Sequence, residues 1–190
     1  MDSNDSTTHV GENKRLVMVR SVLVAAANIL PLPGVSELLM DLSRRGLVEH
    51  LAREHRVELV TAIGPAPPAQ ADRILLEQVL INLIRNGMET MGENRISDQL
   101  EVRLLTEADH MVIEVADGGA GIAPELAGRL FDAFATTKPQ GMGMGLKICR
   151  SIVELHGGSL THRPGEAGGT VFRIQLPLRD GAEKGTTWAA

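Results

Sequence analysis

The 190 residues contain a single cysteine, Cys149, which excludes a disulfide framework and any multi-cysteine zinc site. Set in an apolar helical pattern, Cys149 reads as a small buried hydrophobe. Nor is there a basic stripe. The formal net charge is −5, which does not suit a duplex DNA binder, and the short cluster Arg44-Arg45 reads as a solvated helix face. No signal peptide is apparent, because Met1–Asn13 is polar and acidic. Leu16–Val35 is the most apolar stretch, yet Arg20, Asn28, Pro31 and Pro33 spoil a membrane span of about 20 residues. Internal repeats and low-complexity tracts are absent. These absences predict a cytoplasmic chain with no nucleic-acid partner and no membrane insertion.

What remains is ordinary globular material. Apolar residues make up 43% and charged residues 23%, so disorder is not the default, and the length fits one domain plus trimmings. Residues 1–15 read as a disordered lead. Residues 16–35 form an apolar helical segment, with helix over Leu16–Leu30, a possible remnant of a dimerisation helix. A second helix, capped near Ser36, runs to about His55 on Leu38, Leu39, Leu42, Leu47 and Leu51. Arg56–Ile63 alternates as a strand. Asp72 then caps a helix whose apolar stripe is Leu76, Val79, Leu80, Leu83 and Met91. Leu100–Thr106 and His110–Ala116 read as an antiparallel pair. A short helix near Pro124–Leu130, a helix over Leu146–His156 ended by Gly157, and strands at Ser159–His162 and Thr170–Pro177 complete the order. The tail 179–190 has no periodicity. This order predicts an α/β (α+β) two-layer sandwich, a mixed and mostly antiparallel sheet with helices on one face.

Three constellations carry chemistry. Asn82 and Asn86 lie four residues apart on one side of the long helix. Amide oxygens are hard ligands suited to Mg²⁺, although two solvated asparagines would look the same. Gly87 follows, and a mid-helix glycine, costing about 1 kcal/mol against alanine, suggests that something approaches the backbone. Second, Asp117-Gly-Gly-Ala-Gly121-Ile122 sits between a strand and a helix. It has neither the dinucleotide-binding glycine spacing nor a Walker loop. A carboxylate at the end of a buried strand needs donors: an adenine amine is one candidate, the amides of an Asp-Gly turn another. Third, Lys138-Pro-Gln-Gly141-Met-Gly143-Met-Gly145-Leu146 puts alternating glycines before a helix N-terminus. Free N–H groups, the helix dipole and the Lys138 charge all favour an anion there. In an acidic chain, this is where a triphosphate is tolerated.

Together these residues resemble the catalytic domain of sensor histidine kinases, within the GHKL (HATPase_c) superfamily and nearest the oxygen-sensing and nitrogen-regulatory type kinases. Gln78–Met91 is similar to the N-box, Asp117–Ile122 to the first glycine box and Leu130–Lys138 to the phenylalanine box. Gly141–Leu146 is similar to the second glycine box and Gly168–Phe172 to the final strand. The resemblance implies a Bergerat-type ATP-binding fold over residues 36–178, with ATP and Mg²⁺ bound. It implies that Asn86 coordinates Mg²⁺ and that Asn82 contacts phosphate or metal. Asp117 would accept from the adenine amine, with Gly119, Gly121 and Ile122 shaping the base pocket and Thr170 lining it. Lys138 and the amides near Gly143 and Gly145 would hold phosphates beneath a lid spanning roughly Ala135–Met144. In the ATP-hydrolysing branches a glutamate stands where this chain has Asn82. Transfer to a histidine held on another domain or chain is therefore implied rather than hydrolysis.

The chain departs from the family in three places. Gly87 replaces the usual alanine, and Phe131-Asp-Ala-Phe134-Ala replaces the common Phe-Glu-Pro-Phe-Phe. No histidine is followed by an acidic residue, the mark of a phosphoacceptor, so autophosphorylation by this chain alone is not expected. The implied partners are a dimerisation and histidine phosphotransfer domain in cis or trans, a downstream response regulator receiver, and possibly a second copy. A non-catalytic nucleotide-binding module and a serine kinase of the anti-sigma-factor type are the competing readings.

Overall fold

The computed structural model describes residues 20–23, 38–39, 41–42, 46–64, 71–92, 95–135 and 143–178. The elements are β1 (Arg20–Leu23), α1 (Gly46–His55), β2 (Glu58–Ile63) and α2 (Arg73–Thr90), then β3 (Gln99–Glu107) and β4 (His110–Ala116). The short α3 (Pro124–Ala127), α4 (Gly145–Leu155), β5 (Ser159–Pro164) and β6 (Thr170–Pro177) follow. One six-stranded sheet has the order β1-β2-β3-β4-β6-β5. Its β1–β2 and β2–β3 pairings are parallel and the other three antiparallel. The expected mixed sheet is present.

Local chemistry accounts for the main elements. The Asp72 carboxylate accepts from the backbone N–H of Ile74 (2.8 Å) and Leu75 (3.0 Å), satisfying two of the donors orphaned at the start of α2. Leu76, Val79, Leu80, Leu83, Ile84 and Met88 then recur at helical spacing and are buried. The β3–β4 hairpin turns at Ala108-Asp109, where Ala108 takes φ 48°. Helix α4 ends as a Schellman motif: Gly157 adopts φ 70°, its N–H donates to Glu154 O, and that of Gly158 to Val153 O.

The core lies between the sheet and the helices. Leu100, Val102 and Leu104 of β3 and Phe172, Ile174 and Leu176 of β6 join the cluster that α2 and α4 cover. The alternate residues of these strands include Glu101, Arg103, Glu107 and Arg173. On that outer face the buried Glu114 carboxylate meets Arg173 (3.1 Å), Arg163 (3.3 Å) and Arg103 (3.7 Å).

One expectation is overturned. Residues 20–23 form a strand, not part of a helix over 16–35. In register with Val60–Ile63, the segment finds a parallel partner that local sequence does not reveal. The rest of 16–35, the 1–15 lead, Arg44-Arg45 and the 179–190 tail lie outside the described residues. Where one helix to His55 was expected, residues 38–39 and 41–42 are helical and α1 is a helix bounded at Gly46–His55.

Candidate functional site

Asn82 and Asn86 project from the half-buried side of α2, whose opposite face is locked into the core. The Asn82 amide faces the start of α4. A Cβ built on Gly145 would fall 2.8 Å from Asn82 Nδ2 and 3.2 Å from Oδ1, so the missing side chain at 145 lets the helix start close on the Asn82 amide as it stands. One turn further along α4, Cys149 Sγ accepts from Asn82 Nδ2 at 3.1 Å. Burial raises the Cys149 thiol pKa above its ordinary value, against the opposing effect of the Asn82 hydrogen bond. No side chain caps the N-terminus of α4. Its orphan N–H groups and positive dipole end therefore present an anion-binding surface beside Asn82.

The second group gathers at the end of β4. Asp117 is only 8% exposed. Its Oδ1 accepts from Gly119 N–H (2.9 Å) and Thr170 N–H (3.2 Å), while its own N–H donates to Thr170 O (2.9 Å). Burial raises its pKa above the usual carboxylate value, opposed by the two backbone donors. Gly169, at φ 74°, lets the β6 turn close on this residue: a Cβ there would lie 2.0 Å from Asp117 O. Gly121, at φ 80°, faces Gly169 O, and Ile122 packs against the core beside it.

Helix α2 joins the two groups. A Cβ on Gly87 would meet Leu100 Cδ1 at 2.6 Å and Asp117 Cβ at 3.4 Å. What approaches the mid-helix glycine is thus the β3 side chain and the Asp117 strand end. Five residues separate Asn82 from Gly87, roughly 7.5 Å of helix rise.

Two of the residues singled out in the sequence, Lys138 and Gly141, lie outside the described residues. Gly143 and Leu146 are described. Gly143 O accepts from Phe134 N–H at 3.0 Å, and with φ 62° Gly143 would drive a Cβ into the Phe134 backbone. Leu146 packs against the core. Cys149 is buried as expected, but sequence reasoning missed its hydrogen bond with Asn82. The i, i+4 spacing from Gly145 to Cys149, both on the face turned to α2, was the available signal. His156 is structural, as expected. Its Nε2 accepts from Asp72 N–H at 2.9 Å and its Nδ1 donates to Ile152 O at 2.7 Å, tying α4 to the start of α2.

Among the described residues no cluster of three His, Cys, Asp or Glu could hold a metal. A cation at this site would take amide and phosphate oxygens, the donor set of Mg²⁺, which accepts few protein ligands. Of the Asn82 amide it is Oδ1, 3.2 Å from a Cβ built on Gly145, that matches this donor set, since Nδ2 donates to Cys149.

The chain belongs to the histidine kinase-, DNA gyrase B- and HSP90-like ATPase family, which matches residues 71–180, and it carries the ATP-binding catalytic domain of a sensor histidine kinase. It is 58% identical over 130 residues to the C4-dicarboxylate transport sensor protein DctS of Rhodobacter capsulatus, covering 67% of this chain and 20% of that protein. With the sensor protein FixL of Bradyrhizobium diazoefficiens it shares 40% identity over 149 residues, 77% of this chain and 29% of that one. The chain thus spans less than a third of either relative. The solved catalytic domain of histidine kinase ThkA superposes with a TM-score of 0.66 at 32% identity, over 76% of this chain and 92% of that one. ThkA in complex with response regulator protein TrrA gives 0.64 at 29% identity, over 77% and 41%.

Proposed function

We propose that this domain binds Mg·ATP along α2 and transfers the γ-phosphoryl group to a histidine on another domain or chain. The observation that carries the reading is the uncapped N-terminus of α4 pressed onto the Asn82 amide through Gly145. Anion-binding N–H groups and a hard oxygen donor there converge on one place. Asp117, held by Gly119 and Thr170, takes the adenine amine at the other end, with Gly121 and Ile122 around the base. Asn86, with Asn82 beside it, holds Mg²⁺, which when bound neutralises charge on the phosphates. Lys138 and the backbone near Gly141, Gly143 and Gly145 complete the phosphate site, and Leu146 anchors the helix behind it. Asn82 cannot serve as a general base, which favours transfer over hydrolysis.

The domain spans residues 36–178 and works in the cytoplasm. Among the described residues no helix is long and apolar enough to cross a membrane. The histidine-bearing helical domain docks on the apolar face formed by Ile148 and Leu155, seven residues apart on α4, with Phe134 at its N-terminal end. They are 52%, 75% and 74% exposed, a concentration that suits a partner. A response regulator receives the phosphoryl group downstream.

The test is calorimetric titration of ATP with Mg²⁺ and again with EDTA, followed by γ-labelled ATP and a supplied histidine domain. Magnesium-dependent binding and acid-labile label are expected. No binding in either condition refutes the proposal, and acid-stable label would point to a serine acceptor.

A further inference from the structure

Cys149 has no place in the scheme above, yet it touches a residue that does. Its sulfur lies 3.1 Å from Asn82 Nδ2 and 3.9 Å from the backbone oxygen of Val79, one turn earlier on α2. A thiol has one proton to give and lone pairs to accept with. Buried at 1% exposure and uncharged, it donates to Val79 O and accepts from the Asn82 amide. The direction of this chain matters. An asparagine amide can present either its oxygen or its NH₂ group, and only a neighbouring donor or acceptor decides which. An acceptor at Cys149 engages the NH₂ end and leaves Oδ1 as the end available to a cation. Gly145, on the same face of α4 four residues earlier, leaves the amide room to take that orientation.

We propose that Cys149 is a positioning residue that holds the Asn82 amide with its oxygen toward the Mg²⁺–triphosphate. This rests on the nucleotide reading of the site, and it adds the group that sets the polarity of one of its ligands. Without an acceptor at position 149 the amide is free to turn over and offer NH₂ to the cation. With any small acceptor there, the orientation is kept.

Calorimetry of the Cys149→Ala and Cys149→Ser variants tests this, each titrated with ATP in Mg²⁺ and in EDTA, with thermal melts alongside. Alanine should weaken Mg·ATP about five-fold, the effect of one lost hydrogen bond, and leave ATP in EDTA unchanged. Serine, which accepts and donates as the thiol does, should restore Mg·ATP affinity. Equal loss in Mg²⁺ and EDTA, or equal loss in both variants, would mean that Cys149 only packs, and the inference fails. No loss in alanine fails it too, with the site itself intact. A wild-type chain that binds ATP equally well in EDTA overturns the parent reading, and this one with it, before any variant is compared.

Discussion

Replacing Asp117 with asparagine separates the two jobs of that residue. Both backbone donors, Gly119 and Thr170, land on Oδ1. An asparagine oxygen can accept both, so the β4–β6 junction survives. The other end of the side chain becomes NH₂, which faces the adenine amine donor to donor. Losing a hydrogen bond to a charged acceptor costs about 1.5–3 kcal/mol, or roughly 10- to 150-fold in affinity. Stability should move the other way. Burial raises the Asp117 pKa in the folded state above the ordinary 3.8, so its contribution to folding is full at acid pH and is lost as pH rises through the raised value. A neutral amide never suffers that loss. At pH 7 the variant should therefore melt no lower than the wild type, and the gap should narrow on acidification. Asp117→Ala removes the acceptor altogether and should both lose ATP and melt lower. Calorimetry and melting curves at pH 7 and pH 5 read both effects. Unchanged ATP affinity in Asp117→Asn would refute the adenine assignment, and a melting point as low as that of Asp117→Ala would refute the argument from burial.

Three further outcomes follow from the geometry. Gly145→Ala places a Cβ 2.8 Å from Asn82 Nδ2 and should reduce Mg·ATP affinity about ten-fold by displacing that ligand. Alanine suits a helix, so a melting point lowered by many degrees would show that the site is not what was disturbed. Glu114→Gln removes the carboxylate that, among the described residues, pairs with Arg103, Arg163 and Arg173 together. Because those arginines are a fifth to two-fifths exposed, the loss should be about 1–2 kcal/mol in urea unfolding, less at high salt, and an unchanged midpoint would contradict it. Asp72→Ala strips the cap from Ile74 and Leu75 and should cost about 1 kcal/mol. The Asp72–His156 bond remains in that variant because it uses the backbone N–H. A loss near zero would mean that water caps α2 equally well.

Much of this protein was settled by local sequence. The α2 cap at Asp72, its apolar stripe, the β3–β4 hairpin and the glycine that ends α4 depend on contacts within a few residues. Side-chain pattern and backbone propensity therefore specify them without reference to the rest of the chain. The glycine-rich segments around Asp117 and Gly145 were legible for the same reason, as were the two asparagines on one side of α2. Tertiary structure alone decided the rest. Residues 20–23 became a strand because β2 offered a parallel partner 40 residues away, and no local pattern encodes a partner. The approach of Leu100 and of the strand end at Asp117 to the helix at Gly87 is likewise a tertiary contact. The choice of Oδ1 on Asp117 depends on Thr170, 53 residues on, and the thiol that read as packing, though buried, also accepts from Asn82, 67 residues away. Hydrogen bonds and close approaches across such separations exist only once the sheet and its helices have packed.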